Sequence, residues 1–239
     1  MEQPAALFFD LDETLLDGNS SVDESIARAC AEVVAAQPAL HAETLLKVNR
    51  EVFSAYWAEV EDKFYRGLLG GAAVSLEAWR RTLRACGCND EGLAELAVEA
   101  LGRHAEQSYT LFEDALPVLE RLHGRLPLAI ITNGAIDTQW GKLRATGVHE
   151  YFDAVIVFGE VGVAKPDSAI FQLAMAALGV APDYVWHVGD SLESDVAGAR
   201  NACLTAVWLN RNGATRSPEH PEPHVEIRSL TELLEYIEL

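Results

Sequence analysis

The chain opens on an apolar run, Ala5 to Phe9, that is cut off by Asp10 and Asp12. That contrast predicts a buried strand with a polar loop at its C-terminal end. Comparable runs recur at Leu126 to Thr132, Ala154 to Phe158, Tyr184 to Val188 and Leu204 to Leu209. They are rich in Val, Ile and aromatic residues, and helical patterns separate the later ones. Ile136 to Thr146 follows a glycine turn, and Pro166 to Leu178 has proline near its start and Gly179 beyond its end. Ser191 to Ala202 opens on a cluster of capping side chains. Strands alternating with helices predict parallel βαβ units, and so an α/β fold with a doubly wound parallel sheet covered on both faces.

Residues 17–110 follow a different pattern. Val22 to Ala36, Ala42 to Phe64, Ser75 to Ala85 and Glu91 to Ser108 carry helical spacing with no convincing strand among them. An all-helical block after the first strand of a parallel α/β domain predicts an inserted cap, residues 17–110, in a catalytic core made of 1–16 and 111–239. The joints near Asp17-Gly18 and Thr110-Leu111 are the expected hinges, and Gly67 to Gly71 reads as a flexible connection. Asn210 to His224 reads as a surface loop ahead of a short last strand and a C-terminal helix, and no internal repeat is present.

A length of 239 residues suits a core plus an insert, and half-hydrophobic composition with 23% charged residues is ordinary for a globular protein. The net charge of −19 repels phosphate backbones, so no nucleic-acid partner is expected. It also means that any phosphate site here must supply its own positive charge. Met1-Glu2-Gln3-Pro4 lacks a basic region and the first apolar run is broken by acids, so neither a signal peptide nor a membrane anchor is expected. Cys30, Cys86, Cys88 and Cys203 form no paired knuckles and read as reduced thiols of a cytoplasmic protein. None of the seven histidines has a metal-ligand spacing; His187 reads as a core histidine, and Trp186 and Trp208 as sheet residues.

In open α/β sheets ligands sit beyond the carboxyl ends of the strands. Four strand ends here carry useful chemistry: Asp10, Asp12 and Thr14; Thr132, Asn133 and Gly134; Lys165-Pro166; and Gly189, Asp190, Ser191 and Asp195. In that order they resemble the four motifs of the haloacid dehalogenase superfamily, specifically its helical-cap phosphatases with a Rossmann-like core, over Ala5 to Val207. The stretch Thr132 to Val207 looks most like the branch holding N-acylneuraminate-9-phosphatases and 5′-nucleotidases. The resemblance implies a phosphatase of small phosphate monoesters. Asp10 would be the nucleophile that forms an acyl phosphate, and Asp12 the general acid and then base. It implies Mg²⁺ held by the Asp10 side chain, the Asp12 backbone carbonyl and the Asp190 side chain, with Asp195 orienting a metal-bound water from behind. Thr132, the Asn133 amide and Lys165 would grip the phosphoryl oxygens, and Lys165 would neutralise charge. Where the family often has glycine after the second aspartate, this chain has Glu13.

Two other readings compete. Gly189-Asp190-Ser191-Leu192 spells the signature of the GDSL serine esterases, but it stands late in the chain. His220 and His224, the histidines after it, have Ser217 and Pro221 where that family places aspartate. A 2-haloacid dehalogenase would use the same nucleophile without metal; such enzymes lack the second aspartate, so Asp12 favours the phosphatase. The expected partner is a small phosphorylated metabolite, a sugar phosphate or a nucleoside monophosphate, and the expected assembly a monomer or a homodimer.

Overall fold

The computed structural model describes residues 3–17, 22–65 and 68–238. In chain order the elements are β1 (Ala6–Phe9), β2 (Leu16–Asp17), α1 (Val22–Ala36), α2 (Ala42–Tyr65), α3 (Gly71–Ala85), α4 (Glu91–Ser108), β3 (Thr110–Leu111), α5 (Ala115–Leu122), β4 (Leu128–Thr132) and α6 (Ile136–Thr146). They continue with β5 (Ala154–Val157), α7 (Phe158–Val161), α8 (Ser168–Leu178), β6 (Val185–Gly189), α9 (Ala197–Asn201), β7 (Thr205–Leu209), β8 (Val225–Ile227) and α10 (Leu230–Leu233). The chain divides into two compact units: Met1–Asp17, Thr110–Gly134 and Thr146–Leu239 form one, and Gly18–Tyr109 with Ala135–Ala145 the other.

The first unit is built on a parallel six-stranded sheet of order β5-β4-β1-β6-β7-β8. Its first strand is a continuous apolar run because both faces are covered; Ala6, Leu7, Phe8 and Phe9 are all fully buried, whereas the edge strand β8 exposes Glu226. Withdrawing a side chain such as Phe8 from water contributes roughly 1.5–3 kcal/mol. One face packs Phe8, Ile131 and Trp208 against Ile170 and Phe171 of α8 and Ala199 of α9. β1 lies between β4 and β6, with Phe9 in register with Ile130 on one side and Val188 on the other. The chain fills β4 and β5 on one side of β1 and then crosses to β6, so the order switches beside β1, where such sheets open a crevice.

Several local details depart from the sequence pattern. α8 begins at Ser168 behind the N-cap Asp167, whose carboxylate accepts from the Ala169 amide at 2.9 Å, so Pro166 lies ahead of the helix. Gly179 ends it at φ 67°, a conformation that glycine adopts without the Cβ penalty. The segment expected as one helix after Ser191 starts as a π-helical turn, Leu192–Val196, before α9. The ribbon β2–β3 and helix α5 are additional; two-residue strands are too short to carry a periodicity.

The second unit is helical. Ala29, Val33, Leu45, Trp79, Leu83 and Ala97 form its main core, and the buried Asn49 amide donates to Thr82 Oγ1 at 3.1 Å. α3 starts at Gly71, four residues ahead of the expected Ser75, because Asp137 of α6 accepts from the Gly71 and Ala72 amides, both at 3.0 Å. A carboxylate at these otherwise orphaned donors extends the helix by a turn. α6 groups with this unit, although the sequence assigns it to the segment 111–239. Gly18 and Gly67, parts of the expected hinge and of the flexible connection, lie outside the described residues. Among the described residues no helix is long and apolar enough to cross a membrane.

Candidate active site

The polar ends of β1, β4 and β6 meet at one place because those strands are neighbours. Asp10 follows Phe9, and its amide donates to the Val188 carbonyl at 2.9 Å, tying the start of the first loop to β6. The loop then turns back on itself: Glu13 donates to the Leu16 carbonyl at 2.8 Å, and Leu15 and Leu16 both donate to the Leu11 carbonyl. Glu13 takes φ 56°, the left-handed region that favours glycine. Asp12 and Thr14 occupy the same turn, Asp12 partly exposed and Thr14 fully buried.

Lys165 is the centre of the arrangement. Its side chain is 2% exposed, and Nζ donates to Asp10 Oδ1 at 2.5 Å and to Asp195 Oδ1 at 2.7 Å. The loop carrying it is held by Asn133 in both directions: the Lys165 amide donates to Asn133 Oδ1 at 2.9 Å, and Asn133 Nδ2 donates to the Lys165 carbonyl at 3.0 Å. Asn133, singled out for its backbone amide, thus also fastens the lysine loop to the end of β4. Thr132 is the buried last residue of that strand.

Asp10, Asp190 and Asp195 each offer an oxygen within 4.8 Å of the others. Asp190 is half-buried, and its carbonyl accepts from Trp208 Nε1 at 2.8 Å, so one of the tryptophans read as sheet residues also positions the site. Asp195 is the most heavily engaged: Oδ1 accepts from Lys165 and from His187 Nε2 at 2.9 Å, and Oδ2 from the Ser191 amide at 3.1 Å. The carboxylate fits only because residue 189 is glycine; a Cβ there would lie 2.2 Å from Asp195 Cγ.

Three acids around one lysine leave an excess of negative charge. Burial pushes the Asp10 carboxyl up; Lys165 pulls it back, while Asp195 and Asp12 add to the rise. Burial and then the charge of Asp195 push Asp190 up to about 7. Burial would raise Asp195 as well, but Lys165 and His187 outweigh it and hold the carboxyl below the usual range. Burial alone would lower the Lys165 ammonium, yet Asp10 and Asp195 keep it above the usual lysine range. A hard divalent cation fits this oxygen-only donor set and would relieve the charge on Asp10 and Asp190. Both oxygens of Asp195 already carry donors, which leaves Asp10 and Asp190 as the side chains better placed to ligate.

Two contributors were not visible in the sequence pattern. Arg211, in the loop read simply as surface, donates to both Asp114 oxygens at 2.9 Å and to the Thr14 carbonyl at 2.9 Å, with its guanidinium 3.9 Å above the Phe112 ring. It braces the first loop from behind. His187 is the other. Among the described residues the esterase reading finds no serine–histidine pair: Ser191 Oγ accepts from the Ser194 amide at 3.1 Å, as a helix cap does, and His220 pairs with Glu193 at 2.7 Å.

Comparison with known proteins points the same way. The family model of haloacid dehalogenase-like hydrolases matches residues 4–202. The chain is 34% identical to phosphoserine phosphatase of Thermus thermophilus over 93% of its own length and 94% of that protein's. It is 33% identical to human N-acylneuraminate-9-phosphatase, covering 95% of this chain and 91% of the relative. Among solved structures, 2-haloacid dehalogenase from Pseudomonas syringae pv. Tomato DC3000 superposes with a TM-score of 0.71 at 26% identity, covering 97% of both chains.

Proposed function

Because the chain belongs to the haloacid dehalogenase-like hydrolases, we propose that it is a magnesium-dependent phosphatase of small phosphate monoesters that works through a phosphorylated Asp10. The observation that carries this reading is Asp10 itself: a nearly buried carboxylate held by a lysine at 2.5 Å, with a second acid, Asp12, two residues on and Asp190 close by.

In the first step an Asp10 oxygen attacks phosphorus, the ester P–O bond breaks, and the Asp12 carboxylic acid gives its proton to the leaving alkoxide. In the second step Asp12, now a carboxylate, takes a proton from water as that water attacks phosphorus. The acyl-phosphate P–O bond then breaks, releasing inorganic phosphate and restoring Asp10. Lys165, Thr132 and the Asn133 amide hold the phosphoryl oxygens, and Lys165 offsets charge that builds on them. Asp10, Asp190 and the Asp12 carbonyl would hold the cation, which would supply Lewis-acid polarisation of the phosphoryl group. Asp195 keeps Lys165 in place and stands behind these ligands.

The relatives named above act on phosphoserine and on an acylneuraminate phosphate, and a small phosphorylated metabolite is the substrate class we assign to this chain. We assign selectivity to the helical unit, Gly18–Tyr109 with Ala135–Ala145, which has a cavity of about 400 Å³ lined by Phe53, Trp57, Trp79, Asn49 and Arg50 among others. The solved dehalogenase neighbour keeps a second reading open, halide displacement on the same aspartate. Asp12 weighs against it, since a departing halide needs no proton.

A panel of phosphate monoesters assayed with and without Mg²⁺, beside 2-chloropropionate and the Asp10→Asn variant, separates these readings. Magnesium-dependent phosphate release that is abolished in Asp10→Asn is the expected result. Chloride release without phosphatase activity, or full activity in the variant, would overturn the proposal.

A further inference from the structure

His187 stands in the middle of β6, in register with Phe8 of β1 and Ala206 of β7, and its side chain is completely buried. The Phe171 ring packs against it nearly perpendicular, at 4.9 Å between centroids and 85° between planes. A valine or leucine would fill such a sheet position without a polar atom to satisfy, so an imidazole here needs a reason.

Burial favours the neutral ring, which has a single N–H to place. Nε2 lies 2.9 Å from Asp195 Oδ1, whereas Nδ1 is buried with no hydrogen-bond partner among the described residues. A proton on Nδ1 would leave a buried donor unpaired and would turn the Nε2 lone pair against a carboxylate oxygen. Only the Nε2–H tautomer fits.

That N–H reaches the same oxygen that receives Lys165 Nζ. Together with the Ser191 amide on the other oxygen and the close approach of Gly189, it fixes the Asp195 carboxylate on all sides. Lys165 has four rotatable side-chain bonds, and its Nζ is held against Asp10 by what Asp195 does. We propose that His187 is a positioning residue of the reaction: its Nε2–H orients Asp195, and through it sets the Lys165 ammonium against Asp10 and the phosphoryl group.

The proposal rests on the role assigned to Lys165 above, and its test is arranged so that the two can fail separately. His187→Leu keeps the volume and removes the donor; His187→Gln returns a donor at the corresponding reach. With 4-nitrophenyl phosphate and saturating Mg²⁺, the leucine variant is expected to lose roughly 10–100-fold in kcat, the usual effect of removing such a supporting partner, with KM nearly unchanged. The glutamine variant should recover most of that loss. A folded leucine variant with wild-type kcat, or a glutamine variant as slow as the leucine one, would overturn the assignment. Nitrogen-15 spectra of the wild-type imidazole give a reading that depends on neither variant nor activity. An Nε2–H tautomer that resists protonation through neutral pH is expected, and an Nδ1–H tautomer would refute the proposal even if phosphatase activity is confirmed.

Discussion

Replacing Lys165 with methionine tests the electrostatics of the site, because methionine keeps an unbranched apolar stem and removes the ammonium with its charge and donors. The ammonium sits 2.5 Å from Asp10 and 2.7 Å from Asp195, and its side chain is 2% exposed. At an effective dielectric constant near 20, each such pair attracts by roughly 6 kcal/mol. Desolvation of the ions offsets most of that, but the variant keeps the desolvated carboxylates and loses the attraction. Removing one partner of a buried pair in this way costs about 3–5 kcal/mol. For a chain of this size that lowers Tm by roughly 6–20 °C. The loss must depend on pH. Asp195 is held below the usual carboxylate range in the native state, so its ion pair contributes stability that is fully present above the unfolded value of about 4 and is lost progressively as the pH falls from there through the lowered native value. In the variant the buried acids have no counter-ion, and protonating them becomes favourable as the pH falls. The gap between wild type and variant is therefore widest near pH 7 and narrows towards pH 4. Magnesium should stabilise the variant more than the wild type, since it replaces the missing charge. Urea unfolding at both pH values, with and without Mg²⁺, measures all three effects. A gap below about 1 kcal/mol at neutral pH, or one that does not change with pH, would refute the electrostatic account.

Other parts of the structure give further expectations. Arg211→Leu removes the bonds to Asp114 and to the Thr14 carbonyl; bonds to charged groups are worth about 1.5–3 kcal/mol, so unfolding free energy should fall by at least that much, and kcat should fall with it as the first loop loosens. Glu13→Gly relieves a left-handed residue whose strain is of order 1–2 kcal/mol, partly offset by the greater unfolded-state freedom of glycine; a small rise in Tm is expected, and a loss of several degrees would contradict the backbone argument. Gly189→Ala pushes a Cβ into Asp195 and should lower kcat at least tenfold while KM for a small phosphate ester changes little.

The parts legible in sequence share a physical cause. Strands β1, β4, β5, β6 and β7 are legible as apolar runs because a parallel sheet covered on both faces has no polar side to interrupt them. Asp10, Thr132 and Asp190 were visible because each stands where such a run stops. What was hidden joins residues far apart in the chain. The Asn133–Lys165 clamp and the Arg211–Asp114 brace span 32 and 97 positions, and neither leaves a local pattern. The apolar run around His187 marks it as a core residue, but its partner Asp195 is eight residues away, past the strand end and inside a π-helical turn, so its polar task leaves no trace in that run. The spacing of α6 is plain in the sequence, whereas the contact that ties it to the helical unit, the Asp137 carboxylate at the start of α3, joins residues 66 positions apart.

The central claim is that Asp10 carries the phosphoryl group. In an Asp12→Asn variant the leaving group can still be displaced from an activated ester, but the base that drives the second step is gone, so the intermediate should accumulate. Acid quenching during turnover of 4-nitrophenyl phosphate, followed by proteolysis and mass spectrometry, reads this directly. The account expects one phosphoryl group on the peptide containing Asp10 and none when Asp10 is also changed to asparagine. Phosphate release that continues in Asp10→Asn, or a phosphoryl group found on another residue, would contradict it.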